Sequence, residues 1–341
     1  MRAIRIHGFG GPEKFESEQV PIPEPGRGEL LVRVQATSLN RHDLRVRRGE
    51  VGYTVDLPAT LGIDVCGVVE AVGAEIDDFA IGDRVVNNPW VPCGRCGSCR
   101  AARTRYCTGG YVYQGSYAEY AIVRAARAVR IATTVPNTVA ACIPNAYVTA
   151  WQMLVSKACV GPSDVVLIWA GTSGLGGAAI DIARLAGARI ITTTGSDEKL
   201  AALAGRGADL CLDHRRPDLV ERIQEFTGGL GVTIVLEHVG QATWGRSIAA
   251  CAPGGVIVSA GATSGKLAET DVAALYHGQL RILGSRTGTM RNLLDVVSAA
   301  EAGHLHPVVA QSLPLEGIAA GHRLLEAGTV IGKIVVSVGE K

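Results

Sequence analysis

The segment Cys93-Gly-Arg-Cys96-Gly-Ser-Cys99 sets three thiols at intervals of three, and Cys107 follows eight residues later. Four thiolates from one short loop complete a tetrahedral zinc shell, with bonds of about 2.3 Å and no position open to substrate. Such a centre is structural. A four-iron cluster also uses repeated Cys-x-x-Cys, but the long last interval and the absence of a closing Cys-Pro argue against it. A reduced loop without metal is the bland alternative. The other five cysteines, Cys66, Cys142, Cys159, Cys211 and Cys251, are scattered among apolar neighbours and read as ordinary buried thiols.

A second chemical signal is Val165-Val-Leu-Ile-Trp-Ala-Gly171-Thr-Ser-Gly174-Leu-Gly176-Gly177, a buried strand running into a glycine-rich turn and a helix. Glycines let a pyrophosphate approach the backbone amides and the positive end of the helix, where side chains would obstruct it. Gly171, Thr172, Ser173, Gly174, Leu175 and Gly177 are therefore the candidate dinucleotide-binding residues. At the end of the next strand, where an acidic residue would hold an NAD ribose, the chain has Thr194, followed by Ser196 and Lys199. With no carboxylate there to repel a 2′-phosphate and two groups able to donate to one, NADPH is favoured over NADH. Ser196 equally reads as a helix cap and Lys199 as a solvated cation, and Asp197 leaves NADH open.

These residues need elements to position them. Residues 1–146 read as short strands (30–35, 65–72, 84–87) broken by turn signals such as Pro23-Glu-Pro-Gly. From Asp164 the texture becomes strand, turn, helix, strand, with strands at 165–169, 189–193, 210–212, 232–239, 255–260 and 280–283. Helices fall at 175–185, 218–226 and 243–252. Six strands in that alternation imply a doubly wound parallel α/β sheet. A helix at 290–302 and an apolar strand from Gly332 lie beyond what the sheet needs, and the strand is expected to return to the first domain.

The whole chain, 341 residues with 47% hydrophobic content, has room for about two cores. Lys plus Arg (33) nearly balance Asp plus Glu (32), so no global field draws it to nucleic acid or an anionic membrane. No apolar run approaches the ~20 residues of a membrane span, and the N-terminus lacks a signal-peptide core, so a cytoplasmic protein with a small-molecule partner is expected.

With these motifs in view, the chain resembles the medium-chain dehydrogenase/reductase superfamily, the zinc alcohol dehydrogenases and quinone oxidoreductases. The resemblance rests on Gly62-Ile-Asp-Val-Cys-Gly-Val-Val-Glu-Ala-Val-Gly, Gly82-Asp-Arg-Val, the four-cysteine lobe, Ala146-Tyr-Val-Thr-Ala-Trp, the Gly171 turn and Gly332-Lys-Ile-Val-Val. It implies a GroES-like β-rich substrate domain (1–146, zinc lobe at about 92–108), a Rossmann domain (147–285) and a return to the first domain (286–341). Catalysis in the cleft between them and a homodimer or homotetramer are implied with it.

The departures from the family bear on chemistry. The stretch that carries the first catalytic zinc ligand reads Asn40-Arg-His42-Asp43, so an amide replaces a thiolate; Ile63 stands where an imidazole is usual and Asn145 where a second thiolate is usual. Zinc without thiolate or imidazole would bind poorly. Asn40 and Asp43 instead resemble the Asn-x-x-Asp of zinc-independent quinone and enoyl reductases, and Gly52-Tyr53 a segment that projects a tyrosine toward substrate. By resemblance, Asn40 orients substrate or nicotinamide ribose; the alternative is that it merely bonds the loop backbone. His42 protonates product or is a surface histidine; Tyr53 holds the carbonyl or packs at the cleft mouth. The family match also puts Thr149, Gly261, Ala262 and Ser285 near the nicotinamide and Lys333 at the cofactor phosphates or in solvent, and Trp90 could shape the substrate pocket.

The expected activity is NADPH-dependent hydride transfer to a quinone or α,β-unsaturated carbonyl compound without catalytic zinc. The alternatives are an NADP-dependent alcohol or carbonyl dehydrogenase and a cofactor-binding relative that has lost catalysis.

Overall fold

The computed structural model describes residues 1–53 and 55–339. It divides into one compact unit of Met1–Val148, Thr287–Gly303 and the residues from Pro307 onward, and another of Thr149–Arg286 and His304–His306. Among the described residues no helix is long and apolar enough to cross a membrane.

The second unit is built on six parallel strands in the spatial order Leu210–Asp213, Arg189–Thr194, Val165–Ile168, Val232–Glu237, Cys251–Ser259, Arg281–Gly284. In chain order this is 3-2-1-4-5-6, the doubly wound arrangement. The inner strands are apolar on both faces, as a sheet covered on both sides requires, and Leu167, Ile191, Val235 and Ile257 are fully buried. The helix Gly174–Leu185 packs through small residues, Ala178, Ala179 and Ala183. Its buried Asp181 accepts a bond from the His306 amide at 2.7 Å, and Arg206 donates to the His306 carbonyl at 2.9 Å. These bonds tie the short 304–306 segment to this unit.

The fifth strand corrects an expected boundary. Pro253-Gly-Gly reads as a turn before a strand at 255, yet the strand begins at Cys251. Val232 pairs with Cys251 and Ile234 with Val256, so a bulge absorbs the intervening residues. A proline is tolerated in a strand where a bulge removes its ladder bond.

In the first unit the strand Glu29–Ser38 is the organising element. It pairs antiparallel with Cys66–Val72, with Tyr120–Arg124 and with Lys333–Ser337. The last of these runs parallel to Val309–Pro314. Continuing the register Val335↔Ser38 by two residues sets Lys333 across from Asn40, and the Leu39 amide donates to the Ile334 carbonyl at 2.9 Å.

Immediately after that strand comes the helix Arg41–Arg48, which the arginine-rich sequence does not announce. Asp43 starts it: one carboxylate oxygen accepts from the Asn40 amide at 2.9 Å and from the Tyr117 hydroxyl at 2.9 Å. The Tyr117 oxygen lies 3.2 Å from His322 Nε2, and His322 Nδ1 lies 3.1 Å from an Arg47 guanidinium nitrogen. Arginine only donates, so Nδ1 accepts, Nε2–H donates to Tyr117, and Tyr117 donates to Asp43. Arg47, with no exposed surface, also donates to the Gly10 carbonyl and pairs with Glu326. The helix closes at Gly49, whose φ of 66° is left-handed.

Burial, reinforced by the neighbouring Asp64 charge, pushes the Asp43 carboxyl up to about 7. A carboxyl that titrates higher in the native state than in the unfolded chain (about 3.9) binds more protons when folded between those values. Its contribution to stability therefore falls as pH rises from about 4 to about 7, by on the order of a few kcal/mol. His322, held down to about 3 by burial and then by Arg47, has the opposite slope below its ordinary range. Asp43→Asn keeps an acceptor but does not ionise, so the difference between the two melting-temperature profiles isolates Asp43. We expect the variant to gain on the wild type as pH is raised from 4 to 7; parallel profiles would place the titration elsewhere.

Candidate functional site

The hairpin of Trp90–Val91 with Tyr111–Val112 closes the cysteine lobe. Trp90 is buried and its indole N–H donates to the Thr104 carbonyl at 3.0 Å, which braces this lobe. The Sγ atoms of Cys93, Cys96, Cys99 and Cys107 all lie within 4.8 Å of one another. A tetrahedron of 2.3 Å bonds has edges of about 3.8 Å. The Cys96–Cys99 and Cys93–Cys99 separations, 3.5 and 4.0 Å, bracket that edge. Backbone N–H groups of Arg95 and Cys96 hold the Cys93 thiol down to about 6, and the Cys99 amide lowers Cys96. Burial and the adjacent sulfurs push Cys99 up to about 12. The donor set and spacing fit a closed zinc centre.

Around Asn40 the structure gathers residues from four separate stretches of chain. Asn40 Oδ1 accepts from Lys333 Nζ at 2.7 Å and from Asn145 Nδ2 at 2.9 Å. Asn40 Nδ2 donates to Asp64 Oδ2 at 2.8 Å and to the Ser38 carbonyl at 3.1 Å. The Ser38 hydroxyl donates to the same Asp64 oxygen, and Lys333 Nζ is 3.6 Å from it. Asp64 has no exposed surface, Asn40 and Lys333 are 6% exposed, and the other Asp64 oxygen is without a hydrogen-bond partner among the described residues. Asn145 is half-buried. Burial raises the Asp64 carboxyl, and the Lys333 charge opposes that rise.

Two corrections follow. Lys333 does not reach for cofactor phosphates or for solvent: its ammonium is buried against Asn40 and the Leu39 carbonyl, 3.0 Å away. Asp64, whose position in sequence suggests no role, is central. The three positions where relatives carry catalytic zinc ligands hold a fully buried Ile63 and two amides already bonded to each other. A lysine occupies the amide oxygen that would have to face the metal. This set does not fit catalytic zinc.

His42 and Tyr53 do come together, edge to face with ring centroids 5.3 Å apart. Gln114 Nε2 lies 3.1 Å from His42 Nε2, and Arg45 donates to the Tyr53 hydroxyl oxygen at 2.7 Å. Because arginine supplies the proton in that bond, the Tyr53 hydroxyl keeps its own for another acceptor. Gln114 and Arg45 carry no signal in sequence beyond their polarity.

In the second unit the glycine-rich turn has the expected form. A Cβ on Gly171 would lie 2.0 Å from Thr192 Oγ1, and one on Gly176 would lie 2.3 Å from the Ala170 carbonyl, so both close approaches require glycine. Ser173 caps the helix, its hydroxyl accepting from the Gly176 amide at 2.9 Å, with Gly174, Leu175 and Gly177 half-buried on the first turn. Thr194 is buried, its hydroxyl 3.3 Å from that of Thr172. Ser196 caps the helix Asp197–Leu203 by accepting from the Lys199 amide at 3.3 Å.

Beside them stands a group that sequence reasoning passed over, His214. A Cβ on Gly195 would lie 2.8 Å from its ring. Its amide donates to the Thr194 carbonyl at 2.8 Å, and its carbonyl accepts from Arg246. Burial lowers the imidazole's pKa, and the charges of Arg246, Arg215 and Lys199 lower it further against Asp213. Three cations thus act on one point beyond the second strand; only the run His214-Arg-Arg after a strand hinted at it. Gly261, Ala262 and Ser285 follow the carboxyl ends of the fifth and sixth strands, with the Ser285 amide bonded to the Ser259 carbonyl at 2.7 Å. Thr149 is buried at the start of the same unit.

Residues 26–133 match the family described as alcohol dehydrogenase GroES-like domain, and residues 174–300 match zinc-binding dehydrogenase. An NAD-dependent alcohol dehydrogenase of Sulfurisphaera tokodaii is 30% identical, with 98% of this chain and 99% of that protein covered. The human quinone oxidoreductase is 27% identical over 98% of this chain and 97% of its own length. A crystal structure titled NAD-dependent alcohol dehydrogenase superposes with a TM-score of 0.94 at 42% identity, covering 99% of this chain and 100% of that one. With a GroES-like region, a doubly wound nicotinamide-cofactor fold and relatives that span its full length, the chain belongs to the medium-chain dehydrogenase/reductase superfamily of oxidoreductases.

Proposed function

We propose that this protein is an NADPH-dependent reductase of quinones or α,β-unsaturated carbonyl compounds that works without catalytic zinc. One observation carries the reading: the amides of Asn40 and Asn145 are bonded to each other and to Lys333, where a metal would need free thiolate or imidazole donors. Without a Lewis acid an alcohol is not easily held as its alkoxide. A quinone or enone already has a polarised acceptor carbon, and what it needs is positioning and donors for the oxygen that becomes negative.

NADPH, when bound, supplies the hydride. Tyr53, freed by Arg45 to donate its own proton, and His42, held by Gln114, are the donors for the substrate oxygen. The turn 171–177, with Thr149, Gly261, Ala262 and Ser285, would hold the nicotinamide cofactor. Ser196, Lys199 and the cations around His214 would meet the 2′-phosphate. Cys93, Cys96, Cys99 and Cys107 hold one structural zinc. The second reading, an alcohol dehydrogenase, is favoured by the names of two of the relatives above.

Elemental analysis should find one zinc per chain. Cys96→Ser should lower thermal stability and leave weakened turnover, because metal binding at a closed site is coupled to folding. Two zincs per chain, or loss of turnover at unchanged stability, would contradict this.

For the cofactor, kcat/KM should favour NADPH over NADH, and Thr194→Asp should reverse the preference by setting a like charge against the phosphate. Equal use of both by the wild type would overturn the reading of this loop.

For the chemistry, Tyr53→Phe and His42→Ala should each lower kcat on an enone or quinone by ~10²-fold while NADPH affinity holds. Efficient oxidation of simple alcohols, especially if strengthened by added zinc, would establish the second reading instead.

A further inference from the structure

The charged residues of the Asn40 cluster are given no catalytic role in the reading above. Lys333 and Asp64 are both buried, and they bond opposite ends of one amide: the ammonium at Asn40 Oδ1, the carboxylate at Asn40 Nδ2. All four hydrogen-bonding directions of that amide are used, two donors on its oxygen and two acceptors on its nitrogen. A carboxylate only accepts and an ammonium only donates, so the amide has a single orientation. Asn145 inherits it, because only its N–H can meet Asn40 Oδ1. Asn145, half-buried, is the accessible end of the chain.

We propose that Lys333 is a positioning residue of this site, an internal cation that takes the place of a divalent metal. Paired with Asp64, it holds the Asn40 and Asn145 amides in one orientation and bars metal from the space they share. The bar is electrostatic: a divalent ion at Asn40 Oδ1 would lie within a few ångströms of a buried ammonium. Asp64 alone would not suffice, since an unpaired carboxylate beside amide oxygens is a donor set that hard cations accept. The inference rests on the metal-free reading proposed above.

The test is a double-mutant cycle. Lys333→Met leaves Asp64 buried and unpaired and risks unfolding, so the variant to read is Lys333→Met with Asp64→Asn, which removes both charges together. Folding is checked by circular dichroism and by retention of one zinc per chain. We expect kcat at least tenfold below wild type with KM for NADPH within twofold. Adding Asn145→Ala to the pair should cost several-fold less in kcat than Asn145→Ala alone costs the wild type, because both act through one amide. A folded double variant with wild-type kcat, or additive effects with Asn145→Ala, would overturn the proposal.

The cycle is scored on whichever substrate the wild type turns over fastest, enone, quinone or alcohol. Failure of the substrate reading is thereby kept apart from failure of the inference. A further arm needs no turnover: the zinc-loaded wild type is titrated with cobalt(II). No additional cobalt spectrum is expected, and a second bound ion in the wild type would overturn the proposal whatever the substrate.

Discussion

A buried ammonium must be fully bonded, because nothing in a protein interior replaces the water it gives up. Lys333 meets that requirement with the carbonyl of Leu39 and the amide oxygen of Asn40, neighbours at the end of the central strand, and with the Asp64 carboxylate 3.6 Å away. The Leu39 carbonyl ends the central strand, Asn40 begins the helix Arg41–Arg48, and Asp64 lies at the entry to the strand Cys66–Val72. The bonds that solvate one charge therefore also locate three chain segments. The helix that carries His42 begins at this node, so the donors proposed for substrate are placed by the same interaction.

Asp43 extends the constraint in the other direction. Its carboxylate starts the helix, and Tyr117, His322 and Arg47 pass the hydrogen bonding on to Gly10 and Glu326. The helix has few apolar side chains to hold it, and polar bonds supply what hydrophobic packing does not. A network of this kind specifies one arrangement more strictly than apolar packing, since each member can be satisfied in only one way. Burial raises both buried carboxyls, Asp43 and Asp64, the Asp64 charge raises Asp43 further, and Lys333 opposes the rise in each.

The second unit solves a different problem with simpler means. Backbone, not side chains, faces the expected phosphate groups, so glycines at 171 and 176 let strand and helix approach closely. The side chains there mostly serve the turn itself: Ser173 and Ser196 cap helices and Thr172 bonds Thr194. Farther along the chain, the charges of Arg246, Arg215 and Lys199 act on the His214 imidazole, which packs against Gly195.

Much was legible in the sequence because it is local. Four cysteines within fifteen residues, a glycine turn between strand and helix, and strands alternating with helices all report their structure through spacing alone. The loss of thiolate and imidazole at 40, 63 and 145 was equally plain, since it concerns residue type. What replaced them was not. Lys333 lies 293 residues from Asn40, and the two meet only because Lys333–Ser337 pairs antiparallel with Glu29–Ser38 in one register. A shift of one residue would turn the lysine to the opposite face of the sheet. Periodicity reveals that a strand exists but not which strand it will pair with, so the residue types at 40, 63 and 145 were decided by the sequence and the lysine bonded to Asn40 by the tertiary structure.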